Sequence, residues 1–89
     1  MKILDVTELD SRSGFDYQVE LEGGDVSFSS FRSGVPAWYR RVFRAEAVKT
    51  ERVWTIERAP RPVTWGAEGQ YRIIILVRGG ADPRLGIPR

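Results

Sequence analysis

Arginines and aromatic side chains are the groups in this sequence best suited to chemistry at a surface. The stretch Val35 to Arg44, VPAWYRRVFR, places three arginines and three aromatics within ten residues. A guanidinium grips a carboxylate or phosphate through paired N–H donors, while an aromatic face stacks on a base or fills a protein pocket. Arg52, Arg58 and Arg61 in a later segment, and Arg78, Arg84 and Arg89 near the end, extend the same basic field. Trp65 lies near Arg61 in a connection bounded by Pro62 and Gly69, so it is the tryptophan best placed for contact. The expected partner-binding set is Arg40, Arg41, Arg44, Arg61, Trp65, Arg78, Arg84 and Arg89.

Catalytic chemistry has few resources here. The chain contains neither histidine nor cysteine, which removes the commonest general base, thiolate nucleophiles, disulfides and the usual ligands of zinc and copper. Carboxylates remain as metal ligands and favour magnesium or calcium. However, Asp5, Glu8, Asp16, Glu20 and Glu22 fall mostly at outward positions of expected strands, where solvated charge is the ordinary explanation. Gly23-Gly24 and Gly79-Gly80 are isolated pairs without the spacing of a phosphate-binding loop. One Arg78-Gly79-Gly80 unit is a strand terminus before it is an RNA-binding tail. No catalytic, cofactor-binding or metal-ligating residue is expected, and the chain reads as non-enzymatic.

The elements that must position the arginines follow from hydrophobic spacing. Phe15, Tyr17, Val19 and Leu21 alternate with Asp16, Gln18, Glu20 and Glu22, a period of two that defines a half-buried strand. Lys2 to Leu9 precedes it as a first strand, joined through a turn at Ser11 to Gly14. Gly23-Gly24-Asp25 reads as a tight turn into a third strand, Val26 to Phe31, with an irregularity because Phe28 and Phe31 have opposite parity. Pro36 suits the first turn of a helix running to Val48 or Lys49, with Ser33 as a cap. On that helix Val35, Trp38, Tyr39 and Val42 share one side and Arg40 and Arg44 the other, with Arg41 at the boundary.

Arg52 to Arg58 alternates as a further strand, ended by Pro60 and Pro62. Val63 to Trp65 is a short strand or an ordered loop, and Gly66 to Gly69 a turn. Trp38 and Trp54 are expected in the core between helix and sheet. Tyr71 to Arg78, YRIIILVR, lacks alternation and reads as a central strand needing cover on both faces. The expectation is a single α+β domain over residues 1–78: a mostly antiparallel sheet of about five strands with one helix, in the order β-β-β-α-β-β. Residues 79–89 form a Gly/Pro/Arg-containing tail, mobile or docked. One helix covers only one face, so the sheet curls, the tail packs underneath, or a partner covers the second face.

Charge is uneven along the chain. Residues 1–31 carry two cations against seven acids, a side-chain charge of about −5, and the remainder about +7. The net charge of +2 is modest for a nonspecific nucleic-acid binder. These features point to a small binding module that occupies a macromolecular partner, most readily a protein or ribonucleoprotein. Inhibition of another machine, as by phage or mobile-element proteins, is one route to function. The alternative is RNA or DNA binding through the arginine-rich face, and a homodimer through the uncovered sheet face around Ile74 and Leu76 is a third option. No apolar run approaches the ~20 residues of a membrane helix, and the N-terminus does not resemble a signal peptide. The expected location is therefore cytoplasmic.

Overall fold

A computed structural model describes residues 1–56 and 69–89. Arg58, Arg61, the segment Val63 to Trp65 and most of the expected Gly66 to Gly69 turn lie outside the described residues. The elements are β1 (Lys2–Glu8), β2 (Tyr17–Val26), α1 (Phe28–Phe43), β3 (Ala47–Thr55) and β4 (Gly69–Arg78). Short 3-10 turns occupy Ser11–Ser13 and Pro83–Leu85. The strands form one sheet in the order β1-β2-β4-β3, with every neighbouring pair antiparallel. This is the expected α+β layer of one helix on an antiparallel sheet, with four strands among the described residues where about five were predicted.

The strand expected over Val26 to Phe31 is instead the end of β2 and the first turn of the helix. Gly23-Gly24-Asp25 does not turn the chain: β2 continues through it to Val26, with an irregularity between Gly24 and Val26. Ser27 then caps α1, its side chain accepting from the Ser30 N–H. The opposite parity of Phe28 and Phe31 reflects helical spacing, and the buried stripe Phe31, Val35, Tyr39 and Phe43 advances four residues at a time. Pro36 therefore sits inside the helix, not at its start. The cost of its missing backbone donor is offset by the deep burial on both sides of it. The helix ends at Phe43, short of Val48, because Arg44 takes a left-handed conformation at φ 54° and its N–H caps the Arg40 carbonyl. Ala47 already begins β3.

The core lies between α1 and one face of the sheet. Val19 and Leu21 from β2, and Tyr71, Ile73, Ile75 and Val77 from β4, meet the helical stripe. Tyr39 stacks on Phe43 with ring centroids 4.0 Å apart, and Phe31 and Phe28 both pack on Tyr71. Val48 and Val53 of β3 and Ile3 and Val6 of β1 extend the apolar layer to both edges. β4 is central, as its unbroken apolar run implies. Trp38 packs against this core while remaining half-buried. Trp54 does not join it. An irregularity between Thr50 and Arg52 shifts the pleat, so Trp54 pairs with Arg72 and faces away from the helix.

The tail packs on the helix side, beside α1. Ala81 N–H donates to the Phe43 carbonyl at 2.8 Å, and Pro83 is buried. Gly80 makes this approach feasible: its φ is +79°, and a Cβ there would collide with the Phe43 carbonyl oxygen. Of the three ways to cover the second face of the sheet, tail packing is thereby excluded. Among the described residues nothing packs on that face. No helix among the described residues is long and apolar enough to cross a membrane.

Candidate arginine groove

From Val26 to Ala45 the sequence contains no acid, and α1 carries Arg32, Arg40 and Arg41 with Arg44 as its C-cap. Because Val35, Tyr39 and Phe43 fix which side faces the sheet, Arg40, Arg41 and Arg44 are all exposed. None of them has an ion pair among the described residues. They border two adjoining depressions that share Arg41. The first, of 440 Å³, lies between α1 and β3 and is lined by Pro36, Ala37, Arg40, Arg41 and Val48. The second, of 660 Å³, runs between the end of α1 and the docked tail, with Arg41, Arg44 and Arg89 around Val42, Ala81 and Pro88. The tail therefore brings Arg89 to the helix arginines, a juxtaposition across more than forty positions of sequence.

The other expected cations are differently placed. Arg78 is exposed at the end of β4, 3.5 Å from Glu46, and donates to the Gly14 carbonyl at 3.4 Å. Arg84 is held inside the tail by Asp82: its Nη2 donates to Oδ2 at 2.8 Å, and its Nε lies 3.1 Å from each of the two carboxylate oxygens. Glu8 lies 3.9 Å from the same guanidinium, which also sits 5.0 Å from the centroid of the Tyr17 ring. The hydrogen bonds from Arg84 hold the Asp82 carboxyl below the ordinary carboxylate range and raise the guanidinium in turn. Arg84 thus ties the tail to β1 and β2, with its Nε and Nη2 engaged by Asp82. Arg61 and Trp65 lie outside the described residues.

Sequence reasoning missed what joins the arginines. Pro36, Ala37, Val48, Ala81 and Pro88 form an aliphatic floor beneath the guanidinium rim. Its parts come from α1, β3 and the tail, so no local pattern announces it. No group of three or more acidic side chains among the described residues is arranged to hold a metal ion. Comparison of the chain with protein-family models, with curated proteins and with solved structures returns no match. The functional reading accordingly rests on the geometry of the groove.

Proposed function

We propose that this chain is a non-enzymatic binding module that occupies a protein partner through the arginine-rimmed groove formed by α1, β3 and the tail. The observation that carries this reading is the pairing of an aliphatic floor with Arg40, Arg41, Arg44 and Arg89 free of ion pairs among the described residues. An apolar centre inside a rim of arginines is the anatomy of a protein interface. The complementary partner surface carries carboxylates around a small apolar protrusion. Arg fixes such carboxylates bidentately, and the neighbouring aliphatic floor excludes water from those bonds. Inhibition by steric occupation is one outcome such a surface supports.

Nucleic acid is the second reading, favoured by the same acid-free run of arginines. A single-strand binder also needs aromatic platforms; among the described residues the aromatic that lines the two depressions is Phe43, which is buried under the helix. The aliphatic lining beside the arginines is what favours a protein partner.

The test compares the wild-type chain with R41A/R44A, whose folding is verified by circular dichroism. Both are used to capture partners from the source cell, with and without nuclease, and are titrated with RNA, single-stranded DNA and duplex DNA at two salt concentrations. A nuclease-resistant protein partner retained by the wild type and lost by R41A/R44A is the expected result. Equal retention by both chains removes the groove from the interface. Tight nucleic-acid binding that weakens steeply with salt replaces the protein reading with the alternative.

A further inference from the structure

The sheet face turned away from α1 carries a charge pattern of its own. Lys2, Asp5 and Thr7 of β1 pair with Glu22, Glu20 and Gln18 of β2, while Arg72, Ile74 and Leu76 of β4 pair with Trp54, Arg52 and Lys49 of β3. Since directly paired residues share a face, all of these side chains belong to the face turned away from α1, on which no helix or turn among the described residues packs. Its β1–β2 half is acidic through Asp5 and Glu20, and its β3–β4 half is basic through Arg52, Lys49 and Arg72. Ile74 and Leu76 lie along the seam, with Trp54 beside Arg72.

Two features suit this face to an occupant carrying the same pattern in reverse. Asp5 and Glu20 sit directly opposite each other on neighbouring strands, a like-charge arrangement that is unfavourable in an isolated sheet. A basic surface laid over the pair relieves it. The face is also half acidic and half basic, which suits neither a polyanion nor a uniformly acidic protein.

We infer that the occupant is a second copy of this chain, stacked face to face about a two-fold axis parallel to the strands. Symmetry selects that axis. A two-fold axis perpendicular to the strands would lay each acidic half on the other's acidic half. The parallel axis lays β1 over the second copy's β3, and β2 over its β4. Asp5 then faces Arg52 of the second copy, Thr7 faces Lys49, and Gln18 and Glu20 meet Leu76 and Ile74. Sheets stacked this way lie ~10 Å apart, a gap that an arginine and an aspartate span together. Four strands of this length offer a footprint of roughly 500 Å² per copy, near the lower end of stable interfaces. The dimer is accordingly a concentration-dependent one. Both helix layers point outward, so the arginine grooves stay open and this inference stands independently of the groove's function.

The test uses charge reversal on the full chain, read by sedimentation equilibrium from micromolar to near-millimolar concentration at low salt. Wild type is expected to form dimers. D5R alone and R52D alone each place like charges against one another twice per dimer, and each should weaken self-association about tenfold or more. An equimolar mixture of D5R and R52D restores both cross-copy pairs and should regain the doubled mass. Circular dichroism verifies that both exposed-site variants fold. A wild type that stays monomeric throughout the range overturns the inference. Dimers undiminished in D5R and R52D, or variants that fail to rescue each other on mixing, overturn the face or the axis.

Discussion

Replacing Tyr39 with phenylalanine should stabilise this protein. The Tyr39 ring is fully buried and stacked on Phe43, and its hydroxyl is buried without a hydrogen-bond partner among the described residues. A buried hydroxyl without a partner costs ~1–3 kcal/mol. Phenylalanine keeps the stacked ring and removes only that oxygen, so Y39F is expected to gain about 1 kcal/mol, or roughly 4–8 °C in Tm for a domain of this size. The same site predicts a pH dependence. Burial, reinforced by the Asp82 carboxylate and Tyr17, pushes the Tyr39 hydroxyl well above its ordinary value of 10. Above pH 10 the unfolded tyrosine loses its proton while the folded one keeps it. The native state then binds more protons than the unfolded state, and stability falls as pH rises, by up to ~1.4 kcal/mol per pH unit. Below pH 10 this contribution is fully present. Urea denaturation followed by tryptophan fluorescence at pH 8 and pH 11 should show Y39F ahead at pH 8 and further ahead at pH 11. Y39F less stable than wild type at pH 8 would mean that the hydroxyl makes a favourable hydrogen bond. An advantage that does not grow by pH 11 would mean that the hydroxyl ionises in the folded protein.

Other perturbations address the fold and the groove. G80A should destabilise by about 2 kcal/mol or more, since a left-handed residue with a Cβ costs ~1–2 kcal/mol and collides with the Phe43 carbonyl as well; hydrogen exchange should show the Ala81 amide losing protection first. I75A should cost about 2–5 kcal/mol as a cavity in the core, whereas I74A, half-buried on the face turned away from α1, should cost about 1–2 kcal/mol in the monomer. Similar losses in the two variants, by thermal melts at low concentration, would contradict the assignment of faces. In the groove, R41A/R44A should leave Tm within a few degrees of wild type while abolishing partner retention, because surface changes cost little stability.

Much of the fold was legible in local sequence patterns. Alternation defined β2 around Val19 and Leu21, the β-branched run Ile73 to Ile75 marked a strand buried in the middle of the sheet, and helical spacing put Arg40 and Arg44 opposite Val35 and Tyr39. Those patterns are short-range consequences of how side chains leave a backbone, so they survive without knowledge of neighbours. The misplaced boundary at Gly23-Gly24-Asp25 shows the limit: glycines permit a turn without requiring one, and pairing with β4 carried β2 straight through. Trp54 shows it again, since the shift beside Arg52 exists only in the alignment of β3 with β4 and decides which face the indole takes.

By itself, the sequence determined the class: one helix on an antiparallel sheet, no histidine or cysteine chemistry, and a helix with Arg40 and Arg44 on the side opposite its apolar stripe. Only the tertiary structure decided which arginines act together. Closing the chain on itself engaged Arg84 with Asp82 and Glu8, placed Arg78 beside Glu46, and carried Arg89 across to Arg41 and Arg44. It also set the acids of β1 and β2 and the cations of β3 and β4 on opposite halves of one face. Residue types and spacing establish what each side chain can do, but which charges meet depends on long-range pairing that no local window contains.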